Sequence, residues 1–303
     1  MSDITKDFVF QRGCVGNKDI QCFLTFNHDA ATKEVPNGQL FILKNGKNWS
    51  FRDFSWIGVS LSLETDPVVQ CYVLGRNGEL LVGTSKGFHE EFIQSGGQSP
   101  LTRGPLQDIQ VINHTVYAVG MGRQVYKRVG QDHWVTLEVG IPAPPRDKIV
   151  GFNALAGWGE SEMYAVGWTG EIWFYDGIKW ALMDSPTNRI LRDVVIGSEG
   201  TLYACGKGGI VLSGKHGNWG LIDYEGQLAD WLTMAWFKGL LYLGDGYSLY
   251  VLKGDKLEEI SIPGESTLPI INLDSNTAML LAIGGDCAFI TEDGNDWKRL
   301  PAR

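Results

Sequence analysis

The sequence is short of the residues that announce most function classes. Basic charge is in deficit: 35 Asp and Glu stand against 26 Lys and Arg, for a net charge of −9 and a pI near 5.1. The basic face by which nucleic-acid proteins displace counterions from phosphates is therefore not expected, although a local basic patch is compatible with that total. Cysteines are few and odd in number. Cys14, Cys22, Cys71, Cys205 and Cys287 sit apart, mostly in apolar runs, which is the habit of buried reduced thiols and argues for a cytoplasmic chain over a disulfide scaffold. No run of about 18 apolar residues is present to insert in a membrane. The opening Met1-Ser2-Asp3-Ile4-Thr5-Lys6-Asp7 has neither the basic region nor the apolar core of a signal peptide, so the glycosylation-like triplets at Asn48 and Asn113 carry no weight. His28, His89, His114, His133 and His216 fall at no metal-ligand spacing.

Glycine and tryptophan, by contrast, are plentiful. The 39 Gly are nearly twice the average usage of about 7%, and without collagen periodicity or low-complexity runs that excess means many turns. Hydrophobic residues make up 44% and charged residues 20%, the balance of a folded chain with a large core. Met163 to Trp180 shows how the glycines are used. An apolar strand closes on Gly167, a tight turn closes on Gly170, a second strand follows, and Asp176-Gly177 turns the chain so that Trp180 opens a further strand. Gly-rich and Asp-Gly turns between β-branched and aromatic runs are hairpin signals, because such turns need a positive φ.

The same grammar recurs. Strands ending at Gly75, Gly120, Gly167, Gly206, Gly244 and Gly284 stand 38–47 residues apart, and a degenerate copy at Cys22–Phe26 makes seven. Trp49, Phe92, Trp134, Trp180, Trp219, Leu257 and Trp297 mark the final strand of each unit. A period of about 40–45 residues with four strands per unit is the signature of a propeller. The expectation is an all-β, seven-bladed β-propeller with four antiparallel strands per blade. It forms one domain over 1–303, with blades at about 7–54, 55–94, 101–139, 147–184, 189–224, 228–262 and 268–303. A preceding strand in each unit, seen best at Leu106–Val111, Leu191–Ile196 and Ala229–Met234, lines the central channel. The chain begins on an inner strand (Asp7–Gln11) and ends on an outer one (Trp297–Leu300), so packing without a shared sheet must close the ring.

The turns Asn45-Gly46-Lys47-Asn48-Trp49, Asp176-Gly177-Ile178-Lys179-Trp180 and Asp293-Gly294-Asn295-Asp296-Trp297 resemble shortened Asp-box (BNR) turns. The repeat from Leu191 to Trp219 resembles photosystem II assembly-factor-like propellers of the WD40/YVTN type. The resemblance covers the whole chain and implies architecture. Each turn is one residue shorter than the usual Asp box, which is in any case a structural turn that carries no catalysis.

No catalytic constellation emerges. Gly83-Thr84-Ser85-Lys86-Gly87 fits the nucleophile-elbow pattern but falls between two strands with no helix to follow, so a hairpin turn is the better account. Gly209 to His216 nearly matches a phosphate-binding loop, yet its middle is strand-like and no helix begins there. Asp108, Asp193 and Asp230 recur at one repeat position, which favours a structural role, since catalysis needs a carboxylate once and a turn needs it in every blade. No cofactor motif is present and no metal site is expected.

What remains is a face. The loops entering each inner strand and those after each tyrosine strand share one rim of the channel. That rim should present Arg76, Arg103, Arg123, Arg146, Trp168, Arg189, Arg192 and Lys207 from blades two to five, and Asp245 and Asp286 from blades six and seven. These residues are either solvated loop tips or a partner-binding sector in which Trp168 is an aromatic anchor and the cations take acidic or C-terminal groups. The leading expectation is a non-catalytic protein-binding platform, of which a bacterial immunity protein occluding a basic toxin is one form. A carbohydrate-binding or sialidase-like propeller, with Trp56, Trp158, Trp168 and Trp231 around a pocket, and an assembly factor for a larger complex are the alternatives.

Overall fold

The computed structural model describes residues 8–300 apart from 30–32, 34, 36, 95–98 and 146. Seven antiparallel sheets follow one another, each built from four consecutive strands paired in chain order. The expected seven-bladed propeller is what forms. Blade four, from which the repeat was read, has strands Phe152–Gly159, Glu162–Gly167, Ile172–Tyr175 and Trp180–Met183. Past Glu162 its second strand is apolar because both faces of a blade are covered by neighbours. Met163 and Ala165 pack toward blade three, whereas Tyr164 and Val166 pack toward blade five. The two-residue period of a strand thus divides one run of side chains between two cores.

That division holds around the ring. Seven buried clusters fill the seven gaps between adjacent blades. The gap between blades seven and one is packed like the rest, with Phe23, Leu43, Leu281 and Ile283 fully or almost fully buried together. No strand is exchanged across it among the described residues. Phe10 N donates to Gly285 O at 2.8 Å across that gap.

The hairpin turns follow from their side chains. Asp176 Oδ1 accepts the amides of Ile178 and Lys179, both at 2.8 Å, and Gly177 takes φ 93°. Asp293 and Gly294 repeat that arrangement with Asn295 and Asp296. Thr84 and Gly87 end the two strands of a hairpin, so the Gly-x-Ser-x-Gly match is a turn.

The inner strands are Phe8–Asn17, Gly58–Glu64, Leu106–Ile112, Phe152–Gly159, Leu191–Ile196, Thr233–Phe237 and Ile270–Ser275. Each sends a side chain to the backbone of the next. Arg12 Nε donates to Val59 O at 3.3 Å, Ser60 Oγ accepts from Ile109 N at 3.2 Å, and Asp108 Oδ2 accepts from Leu155 N at 3.0 Å. Asn153 Nδ2 then donates to Leu191 O at 2.7 Å, Asp193 Oδ2 accepts from Met234 N at 2.8 Å, and Thr233 Oγ1 accepts from Leu273 N at 2.9 Å. Asn272 Oδ1 accepts from Gly13 N at 2.7 Å and completes the circle.

Two inner-strand features differ from the pattern expected of the repeat. The strand of blade six runs Thr233–Phe237, starting later than the expected Ala229–Met234, because Trp231 is fully buried between blades and donates to Tyr224 Oη at 3.1 Å. Asp108 and Asp193 do share a position, but Asp230 does not. It precedes the strand and accepts from Gly208 N at 2.7 Å, and Thr233 makes the bond that joins its blade to the next.

If the last gap closes the ring, Leu281→Ala should lower unfolding stability by about 2–5 kcal/mol in urea titration, as for other buried Leu→Ala changes. Ser85→Ala, in an exposed turn, should stay within about 0.5 kcal/mol.

Candidate functional site

The loops that join one blade's outer strand to the next blade's inner strand open on the same mouth of the channel as the turns between second and third strands. The structure sorts the basic residues of this mouth into two kinds. Arg103 lies on Glu138, with Nη1 at 2.7 and 2.9 Å from the two carboxylate oxygens, and Nη2 donates to Gly122 O at 2.9 Å. Arg123 is buried, with φ 56°, and its guanidinium forks onto Glu171 at 2.8 and 2.5 Å while lying 5.4 Å from the centre of the Trp173 ring. Such charge-assisted pairs, partly or largely withdrawn from solvent, fix loops in place. Arg76, Arg189 and Lys207 are exposed instead. Arg146 lies outside the described residues.

Trp168 is half-buried in the tight turn Trp168–Gly170. Its amide donates to Gly151 O at 3.0 Å, and Thr169 and Gly170 have φ 60° and 74°. Gly170 packs so closely on Thr187 that a Cβ there would strike the Thr187 carbonyl. Arg189, two residues on, reaches Gly208 O at 3.4 Å, beside Lys207. Trp168, Arg189 and Lys207 are therefore brought onto one arc, whereas Arg192 is turned into the channel, where its Nε is buried without a hydrogen-bond partner.

The channel is a cavity of about 730 Å³ lined by Arg12, Asp108, Arg192, Asp193, Asn272 and Asp274 among others. Burial pushes the Asp193 carboxyl up to about 7 against its bond from Met234 N, and the charge of Asp108 adds to the rise. Asp274 is pushed up to about 6, again by burial first, against its bond from Val15 N. These carboxyls hold inner strands together, and their bonds account for their placement. Among the described residues no group of three His, Cys, Asp or Glu could hold a metal ion. All five cysteines are buried free thiols.

The tryptophans of a sugar platform do not gather at this mouth. Trp56 is buried with its ring 4.0 Å from that of Phe54, and Trp231 is fully buried. Trp158 packs edge-on to Tyr164 under Lys215 Nζ, which lies 4.6 Å from its ring centre.

Exposed apolar side chains also stand at this mouth, unforeseen from the sequence, among them Ile57, Leu101, Ile149, Leu228 and, at 80% exposure, Tyr247. The available signal was an apolar residue inside a glycine- or proline-rich turn, where the repeat has no need of one.

No family model matches the sequence. The chain is 35% identical over 246 residues to the immune protein Tsi7 of Pseudomonas aeruginosa, an alignment covering 81% of this chain and 80% of that protein. The chain belongs to the Tsi7 immune protein family. Solved structures agree on the fold of this Tsi7-family chain. YCF48 bound to D1 peptide superposes with a TM-score of 0.65 at 13% identity, covering 94% of this chain and 93% of that one. The Cps50 (Swd1) propeller domain of Myceliophteria thermophila gives 0.66 at 12% identity, covering 92% and 96%. At such identities the likeness is one of architecture. Among the described residues of the Tsi7-family chain, no helix is long and apolar enough to cross a membrane.

The raised carboxyls make a pH prediction. An unfolded Asp titrates near 3.9, so between about pH 4 and pH 7 the folded chain keeps protons that the unfolded chain has released. The stabilisation is complete below about pH 4 and is lost as pH rises through 6 and 7. The melting temperature should accordingly be higher at pH 5 than at pH 8. Asp193→Asn, which retains an oxygen for Met234 N, should shrink that difference, and an unchanged difference would refute the assignment.

Proposed function

We propose that the chain is a non-catalytic bacterial immunity protein that binds a toxin protein through the loop-bearing mouth of its propeller and thereby neutralises it. The observation that carries this is the 35% identity to an immune protein across four-fifths of both chains. The architecture supports it. A ring pinned at every gap holds its loops with little freedom to lose, and preorganised loops bind at lower entropic cost. The free thiols suit neutralisation in the cytoplasm.

Within the mouth, Arg76, Trp168, Arg189 and Lys207 form the contact set for acidic or C-terminal groups of the toxin. Arg192 is available only to a group that enters the channel, and Arg103 and Arg123 act by holding the loops through Glu138 and Glu171. An acidic chain of net charge −9 also attracts a basic toxin over distance, which raises the association rate more than the final affinity. No cofactor takes part.

The test is co-expression with the toxin encoded in the neighbouring gene. The chain should restore growth and co-purify with the toxin in a fixed ratio. Arg189→Glu combined with Lys207→Glu should weaken binding by at least about tenfold while leaving the melting curve in place. Absence of both rescue and co-purification by the wild-type chain would overturn the proposal.

A further inference from the structure

The mouth changes character between blades five and seven. Asp230, Asp245 and Glu259 lie there, and none forms an ion pair with a described residue, the pairs present being made by other carboxylates. Among them stand Leu228 at 70% exposure and Tyr247 at 80%, the two most exposed large apolar side chains of this mouth. They flank one segment. Leu228 lies over Gly209, where a Cβ would meet its side chain, Asp230 binds Gly208 N at 2.7 Å, and Leu232 abuts Gly246, next to Tyr247.

The Tyr247 turn is built to hold its side chain out. Asp245 Oδ1 accepts the amides of Tyr247 and Ser248 at 2.8 and 2.7 Å, Gly246 takes φ 89°, and Ser248 Oγ donates to Glu259 at 2.6 Å. None of these bonds needs a tyrosine, and the ring covers no core. A tyrosine held out on a fixed turn beside Asp245 and the Ser248–Glu259 bond combines a large apolar face with a polar tip, the make-up of a binding anchor.

Resting on the immunity reading above, we infer that this arc is a second docking surface, and that its occupant is a Lys- or Arg-bearing segment of the toxin. Tyr247 and Leu228 pack against the aliphatic stems of that segment, and the carboxylates of Asp230, Asp245 and Glu259 meet its charges. The mouth is then two-signed, with cations at Arg189 and Lys207 and anions beyond Asp230, so that the toxin is gripped in one orientation.

The experiment measures binding of the neighbouring-gene toxin, purified as an inactive variant, at low and high salt. Tyr247→Ala with Leu228→Ala should weaken binding at least tenfold. Asp230→Asn, Asp245→Asn and Glu259→Gln together keep an oxygen acceptor for each local hydrogen bond, and should weaken binding at least tenfold at low salt and flatten its salt dependence. Ile178→Ala, on a turn at the opposite mouth and 76% exposed, should bind as wild type does. Wild-type binding with both arc variants within twofold of it would overturn this surface and leave the immunity reading standing. Failure of the wild-type chain itself to bind would overturn both.

Discussion

A propeller blade ends on its channel side with a strand whose channel-facing edge has no partner strand, and an unpaired row of amides and carbonyls is costly wherever water is scarce. Here that edge is met by side chains. From Arg12 on Val59 round to Asn272 on Gly13, one side chain from each inner strand reaches the backbone of the next, with no gap omitted. Chemically the set is mixed: arginine, serine, two aspartates, asparagine, threonine and asparagine. What is held constant is reach and hydrogen-bonding capacity. The raised carboxyls of Asp193 and Asp274 follow from the same constraint, since an oxygen placed to catch a buried amide is itself taken out of water.

This inner ring leaves the outer mouth free to vary. The apolar gaps carry the bulk of the stability, each blade contributing to two of them, and the inner bonds set register. Loops that enter and leave so fixed a frame can hold side chains that do nothing for the fold. Some loops are stiffened further by ion pairs: Glu138 and Glu171 take Arg103 and Arg123 out of solution and in exchange fix the chain around Gly122 and Trp173. Rigidity and surface chemistry are thus drawn from the same supply of arginines.

The architecture was legible in the sequence because it depends on local chemistry repeated seven times. Strand-ending glycines, Asp-Gly turns and the tryptophan of the outer strand each answer to a requirement within about ten residues. The rim residues answer to partners much further off. Arg103 meets Glu138 and Arg123 meets Glu171, 35 and 48 residues away, and no periodicity in the chain distinguishes these two from Arg76 or Arg189, which stay exposed. Asp230 misled for a related reason. Its spacing matches Asp108 and Asp193, but the burial of Trp231 delays the inner strand of blade six, and the carboxylate is left to bind a turn in blade five.

Tyr247 and Trp168 show how a broken repeat should be weighed. Both are aromatic residues in turns after a second strand, where the other blades described by the repeat carry no aromatic side chain. Trp168 is half-buried and its turn is wedged against Thr187, so part of its surface is already used in packing. Tyr247 is held out by a turn whose every hydrogen bond comes from Asp245, Ser248 or the backbone. Departure from the repeat identifies both residues, and only exposure separates them. In a closed ring that satisfies its own backbone, a large side chain that the frame neither covers nor needs is the one whose presence calls for a partner.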